Sequence, residues 1–559
     1  MTYKKNDEIK TVIDGLGNDG EGIAHIDGFP FFIKDTAPGD HVTAKVMKVK
    51  RNLGFAKLIS IDEPSADRIE PVCPVATACG GCTLQHISYE AELKYKDEKV
   101  YNCLRRIGGI DPEILDGVRQ PIVPSEKTSR YRNKAQYPVG VDAEGRAVAG
   151  FYSGRTHHIV PETDCKLSPP EFRVILRTVL DFIDEFAVPV YDEVTGKGLI
   201  RHVLIRKGFD TGEILTVIVS AGEKIPHSDI LAERLAGIPG MKSVCLNINP
   251  EKTNVILGKK IIPLFGEAFI EDKLCGLKFR ISPLSFYQVN HDVAEKLYQC
   301  AIEYAGIKDF GSDTRPAEIW DICCGIGTIT LAAAVQSDNC FVHGVEIVPE
   351  AIRDAKMNAE LNGITNADFT AAAAEDYLPR YFREHPDAFA DAVVLDPPRK
   401  GMAPEVLDIL SKLKPERIVY VSCDPATLAR DLKIFISSGY RLEHYRVFDQ
   451  FSRTAHVETV CLLSKLHEAK HHVNVKVDMD ELDLTSAEAK ATYKEIEEWV
   501  QEHYGFHVTN LNIAQVKKKH GIIERENYNK PKSEDSRQPG CPEEKIKAIE
   551  DAMRHFQMI

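Results

Sequence analysis

A multidomain α/β chain is predicted, on three observations. Strands alternate with helices from about residue 281 to 465, short strands broken by Gly and Pro fill residues 1 to 62, and a chain of 559 residues that is 43% hydrophobic can bury several cores. The expected organisation is a small β-barrel over 1–62, a β-rich central domain over 63–280, a Rossmann-like parallel-sheet domain over 281–465 and a helical extension over 466–559.

The N-terminal segment alternates apolar positions, as at Val42, Ala44 and Val46, and reads as a five-stranded, OB-like barrel. From His41 to Ser60 it carries Lys45, Lys48, Lys50, Arg51 and Lys57 and no acid, a face suited to single-stranded or looped RNA, with an ordinary β-module as the alternative. Next come the cysteine-rich loop CPVATACGGC and a helix over about 89–107, able to pack on the following parallel-sheet domain. Residues 128–280 read as largely extended (HVLIRK, ILTVIVS, SVCLNIN), with one helix near 172–186. The strands EIWDICC, FVHGVEI, DAVVLD and RIVYVSC, each followed by a helical pattern, give the parallel sheet. In the tail a capping box, Thr485 to Glu488, opens a helix that stops near Gly505, and a second helix over 510–520 carries Lys517, Lys518 and Lys519. A helix-turn-helix or a plain helical appendage fits this pattern.

Bulk properties narrow the functional classes. No apolar run reaches eighteen residues, so no membrane span is expected, and the start MTYKKNDEIK has no apolar segment behind it, so no secretory signal is expected. Fourteen cysteines then suit cytoplasmic thiols, some reserved for metal or catalysis, rather than a disulfide framework. The net charge of −14 gives no overall attraction for nucleic acid, so binding would rest on local patches such as Arg130, Arg132 and Lys134.

Four strand ends carry chemistry. In DICCGIGT, Gly325 and Gly327 let the backbone turn closely around a ligand, and Thr330 stands where a dinucleotide fingerprint has its third glycine. The next strand ends in Glu346, an acid able to accept hydrogen bonds from both hydroxyls of a ribose without a 2′-phosphate. In LDPPRKG, two prolines fix a rigid turn that presents Asp396 at the carboxyl edge of the sheet. On the same edge lies Cys423, followed by a helix start near Ala426 that is expected to lower its thiol pKa. Separately, Cys73, Cys79 and Cys82, with the distant Cys165, can complete a four-sulfur site for an iron–sulfur cluster or zinc.

Taken in order, SFYQVN, DICCGIGT, GVEIVPEAI, LDPPRKG, YVSCDPATLARDL and HVET resemble the bacterial RNA uracil-C5 methyltransferase family, over residues 1 to about 465. The resemblance implies that the barrel is a TRAM domain and that S-adenosylmethionine is the methyl donor. It implies that Gln288, Glu346 and Asp396 contact the donor or the target base, that Cys423 is the nucleophile and that Glu458 is the base. This chain has Cys323 where many members have an aromatic residue, a position that contacts the donor. For Cys73, Cys79, Cys82 and Cys165 the resemblance implies a [4Fe–4S] cluster, as in the ribosomal-RNA branch. The implied partner is RNA, 23S rRNA first and transfer RNA second; the cytoplasm is the expected location, and the sequence does not fix the oligomeric state, for which a monomer is the expectation. A non-catalytic RNA-binding assembly factor is the reading from another class. The implied chemistry is sound: a thiolate adding to uracil C6 makes C5 nucleophilic, and a carboxylate then removes the C5 proton.

Overall fold

The computed structural model describes residues 3–312, 314–466, 493–520 and 542–556. The described residues up to 466 belong to one compact unit and those from 493 onward to a second.

The catalytic candidate is a seven-stranded sheet. Its order is Ala367–Ala371, Cys340–Glu346, Ala317–Ile322, Ala392–Leu395, Arg417–Ser422, Glu458–Lys465, Tyr440–Phe448. The first five strands are mutually parallel, Glu458–Lys465 alone runs against them, and the edge strand Tyr440–Phe448, antiparallel to it, shares the direction of the first five. Both faces are covered, which is why these strands read as nearly continuous apolar runs. Ile319, Val394 and Val419 pack with Val293 and Leu297 of the helix His291–Ala305. Their strand neighbours Trp320, Val393 and Ile418 pack on the other face with Leu378, Val406 and Leu428. Val100 and Leu104 of the helix Tyr89–Arg106 join that second core.

The N-terminal sheet has six strands in the order Glu8–Val12, His41–Val49, Gly54–Glu63, Phe29–Ile33, Gly22–Ile26, Gly15–Leu16. The expected count of five missed the two-residue strand Gly15–Leu16, too short to show any periodicity. The central sheet has seven strands, and its core strands Ile200–Lys207 and Ile214–Ser220 are buried almost throughout. Two helices lie in this region where one was expected. Besides Glu171–Glu185 there is Ser228–Ala236, whose N-cap is a left-handed His227 with no side-chain cap.

In the second unit the helices Tyr493–Tyr504, Asn510–Lys519 and Glu543–His555 share a core of Ile496, Val500, Ile513, Val516, Ile549 and Met553. The anticipated basic face is reduced there, since Lys517 is buried and Lys519 pairs with Glu550 at 3.0 Å. The Thr485–Glu488 capping box lies outside the described residues. Among the described residues no helix is long and apolar enough to cross a membrane.

Two buried ionic groups organise the main unit. Lys96 is wholly buried, and its Nζ donates to Glu92 at 2.7 Å, Asp449 at 2.5 Å and the Phe451 carbonyl at 3.1 Å. Tyr89 and Ser452 donate to the second oxygen of Asp449. This network straps residues 449–456, which lead into the strand Glu458–Lys465, onto the helix Tyr89–Arg106. In the catalytic sheet, His343 lies between Glu318 at 2.8 Å and Asp368 at 2.9 Å and stacks on Trp320.

Removing one partner from a buried ionic group leaves the others uncompensated. Lys96→Met is therefore expected to cost about 3–5 kcal/mol by denaturant unfolding. Burial works against the His343 imidazolium, but its two carboxylates outweigh that and raise its pKa to about 9. A raised folded-state pKa gives stability that is complete below the unfolded value, about 6.5, and fades as pH rises through about 9. The gap in stability between wild type and His343→Gln, on the order of 3 kcal/mol, is expected at pH 6 and should have nearly closed by pH 10, as read by urea midpoints.

Candidate active site

The site forms at the carboxyl edge of the seven-stranded sheet, where open α/β folds bind ligands. After the strand Ala317–Ile322 the chain passes through three left-handed residues, Cys323 (φ 69°), Gly325 (φ 56°) and Gly327 (φ 82°), into the helix Thr328–Ala334. A side chain at Gly327 would press against Phe369 at 2.9 Å, whereas one at Gly325 would meet nothing within 4 Å, so the turn is tight on one side and open on the other. Glu346 lies across this turn: one carboxylate oxygen accepts from the Gly325 amide at 3.2 Å and the other from the Val348 amide at 2.9 Å. Thr330 is fully buried and donates to Asp321 at 2.6 Å, while the other Asp321 oxygen is buried with no partner. An open glycine turn, a fixed acid and an unsatisfied buried carboxyl oxygen fit a nucleoside donor such as S-adenosylmethionine.

Asp396 follows the strand Ala392–Leu395, and its amide donates to the Ile322 carbonyl at 3.2 Å. Enclosure, then the neighbouring Asp321 and Glu346 carboxylates, push its pKa up to about 7. Burial likewise takes Asp321 to about 7 and, with Glu346, Asp396 and Asp321 nearby, the Cys323 thiol to about 12. Cys423 directly follows the strand Arg417–Ser422, Glu458 opens the adjacent strand, and the two strands pair Ser422 with Thr459. Glu458 is buried, and desolvation together with Asp396 raises its pKa well above the ordinary value, with Arg399 opposing.

The expected lowering of the Cys423 pKa is reversed. Burial, Glu458 and Asp396 raise it to about 11, against a smaller opposing effect of Arg399. The helix Pro425–Ser437 does begin beside the thiol, but its free amides are taken by Asp424, whose carboxylate accepts from Ala426 at 2.9 Å and Thr427 at 3.0 Å. The helix terminus is thus spent on its own cap.

Gln288 is buried at 4% exposure, and its side-chain oxygen accepts from Gln450 at 3.1 Å. Asn133 holds the Gln288 main-chain carbonyl at 2.8 Å. The structure adds residues that the sequence reading missed. Tyr298 is buried close enough to Asp396, Thr328 and Glu458 for all three to act on its hydroxyl. Arg399 acts on Cys423, Glu458 and His456, and Phe286 projects at 66% exposure two residues before Gln288. Arg399 and Phe286 stand inside the quoted motifs LDPPRKG and SFYQVN, which were the available signal. Tyr298 reads from sequence as helix core.

The second site is a cavity of about 330 Å³ lined by Cys73, Cys79, Cys82 and Cys165, with Arg132 and Lys134 on its wall. Arg130 brings in the distant cysteine: its Nη1 donates to the Cys165 and Ser168 carbonyls at 3.0 and 2.9 Å. Burial and the neighbouring thiols raise Cys73, Cys79 and Cys82, the last to about 12, so these sulfurs are neutral unless a cationic centre draws off their protons. The donor set fits a thiolate-ligated metal group. Among the described residues no three His, Cys, Asp or Glu side chains stand close enough to chelate a single ion.

Residues 257–466 match the family model described as tRNA (Uracil-5-)-methyltransferase, and residues 5–59 match the TRAM domain. Uncharacterised RNA methyltransferases from Halalkalibacterium halodurans and Clostridium acetobutylicum are 44% and 43% identical over 460 and 468 residues, covering 82% and 83% of this chain and 97% and 99% of theirs. The crystal structure of Pyrococcus abyssi tRNA (uracil-54, C5)-methyltransferase in complex with S-adenosyl-L-homocysteine is 26% identical, with a TM-score of 0.64, covering 81% of this chain and 100% of that one. The chain belongs to the TRAM-containing family of RNA uracil-C5 methyltransferases and is an S-adenosylmethionine-dependent RNA (uracil-5-)-methyltransferase.

Proposed function

We propose that the enzyme methylates a uridine of 23S rRNA in the cytoplasm through covalent catalysis, with Cys423 as nucleophile and Glu458 as proton acceptor. The observation that carries this reading is that a thiol and two carboxyls converge with one guanidinium at a single sheet edge, where Asp396 and Arg399 act in opposite directions on both Cys423 and Glu458.

S-adenosylmethionine would be held at the Gly325 turn by Glu346, with Gln288, Cys323 and Asp396 nearby, and would supply an electrophilic methyl group. Once its proton has been released to solvent, the Cys423 sulfur gives its electron pair to C6 of the uracil, and the C5–C6 π pair moves into the ring as an enolate. C5 then attacks the methyl carbon, whose bonding pair stays with the departing sulfur. Glu458 takes the proton from C5, the ring regains its double bond, and the C6–sulfur bond breaks to return the thiolate. Arg399 favours the ionised forms of both Cys423 and Glu458. Asp396 is held near neutral proton affinity and can hydrogen-bond the polar edge of a base drawn from its stack.

For the cysteine cavity we propose a [4Fe–4S] cluster on Cys73, Cys79, Cys82 and Cys165. The four-thiol lining and a volume larger than one ion needs support this over zinc. When bound, such a cluster would supply cross-links between the loop 73–82 and Cys165, and no step of methyl transfer requires it. The TRAM domain together with this cavity supports ribosomal over transfer RNA, because the resemblance associates both with the ribosomal-RNA branch. Transfer RNA is the second reading, favoured by the family model and the solved relative, both named for it.

In RNA from cells with and without the protein, loss of 5-methyluridine is expected at a 23S rRNA position, and loss confined to transfer RNA would overturn the ribosomal assignment. Cys423→Ala is expected to abolish methylation by at least about 10³-fold and to form no adduct with RNA carrying 5-fluorouridine at the target. Glu458→Gln should instead accumulate a methylated RNA–protein adduct that survives denaturation. Protein purified without oxygen should hold iron and sulfide with a visible absorbance that Cys165→Ser loses, and one zinc per chain in its place would contradict the cluster.

A further inference from the structure

Beside the site lies a cleft of about 360 Å³ that shares Cys423 with it but is lined by none of Gln288, Asp396 or Glu458. Its walls come from five separate parts of the chain: Asn18 and Asp19, a turn of the TRAM domain; Thr83, next to Cys82; Lys99 of the helix Tyr89–Arg106; Arg399; and His456. The walls are fixed by hydrogen bonds. Lys99 Nζ donates to the Asn18 and Ala455 carbonyls, both at 2.8 Å, and Thr83 Oγ1 accepts from the Ala455 amide at 3.0 Å.

Two groups in this fixed frame are left unused. Among the described residues the Arg399 guanidinium has no hydrogen-bond or ion-pair partner, and the exposed His456 ring has none on either nitrogen, touching Phe451 only edge to face at 6.1 Å. Crowding, then Arg399, Lys99 and Lys96, lower the His456 pKa to about 4, so at neutral pH the ring offers a flat apolar face with one donor and one acceptor. That is the chemistry of a base-stacking platform beside a phosphate-binding guanidinium.

Geometry then limits what can lie there. Cys423 is common to the cleft and to the site, so the nucleotide joined by one phosphodiester to a uridine held at that sulfur is within reach of the cleft. Building on Cys423 as the nucleophile, we propose that the cleft is a subsite for the nucleotide adjoining the target uridine, its phosphate on Arg399 and its base against His456. The cleft thereby makes the TRAM turn Asn18–Asp19 a wall of the catalytic site, in addition to any RNA surface the domain offers elsewhere.

The test uses stem-loops cut from the RNA in which methylation is mapped, with the nucleoside on each side of the target replaced in turn by an abasic residue. For the wild-type enzyme, one of the two replacements is expected to lower kcat/KM for methyl incorporation on the order of 10- to 100-fold, the usual worth of one stacked base. In His456→Ala the intact RNA should be slower by a similar factor and the abasic penalty should vanish, with His456→Phe restoring much of it through its ring face. Indifference of the wild type to both replacements would overturn the subsite. So would a penalty undiminished in His456→Ala, or in His456→Phe and His456→Gln should the alanine variant not fold. Adduct formation on 5-fluorouridine RNA is recorded in parallel: its absence in the wild type would count against Cys423 as nucleophile, whereas an adduct without flank discrimination would count against the cleft alone.

Discussion

The structure depends on the enclosure of several acids and a thiol at one sheet edge with little positive charge to offset them. Asp321, Asp396, Glu346, Glu458, Cys323 and Cys423 are brought there by the ends of neighbouring strands, and Arg399 is the cation that acts on both Cys423 and Glu458. Removing Asp321, Asp396, Glu458, Cys323 and Cys423 from water disfavours their charged forms, and neighbouring carboxylates add to the effect. At neutral pH the free enzyme therefore holds the Cys423 thiol protonated, and the ionisation that the proposed catalysis needs is coupled to what enters the site. A cationic sulfonium placed among these carboxyls would favour their ionised forms, which ties donor binding to activation through charge alone.

That edge keeps its shape through contacts between residues far apart in sequence. Residues 449–456 carry Gln450, which holds Gln288, and run directly into Glu458. They are tied to the helix Tyr89–Arg106 by Lys96 and Lys99, and to the end of the cysteine loop by the Thr83 and Leu84 amides, both donating to the Arg453 carbonyl at 3.1 Å. Any group that orders the loop 73–82 thus also bears on the segment leading to the proposed base. A structural metal centre would need no redox role to influence methylation.

The parallel sheet and its strand-end residues were legible in the sequence because burial on both faces gives long apolar strands, and because Gly-x-Gly and Asp-Pro-Pro leave the backbone few options. Glu458 was not legible from pattern alone: it opens an antiparallel strand and looks like an ordinary boundary charge until the family resemblance is considered. Lys96 shows why distant pairing hides from sequence, since a lysine on an amphipathic helix reads as a solvated face when its partner Asp449 is 353 residues away. The thiol pKa was misread for a similar reason. The helix start was visible, but the use of its amides by Asp424 is a matter of geometry.

The central claim, that enclosure keeps the thiol of the proposed nucleophile protonated in the free enzyme, can be measured directly. Alkylation of Cys423 by iodoacetamide, followed across pH by mass spectrometry of its peptide, is expected to reach half its limiting rate near pH 11 in the wild type and at lower pH in Glu458→Gln. A half-point at or below about 8.5, the ordinary thiol value, with no change in Glu458→Gln, would contradict the account.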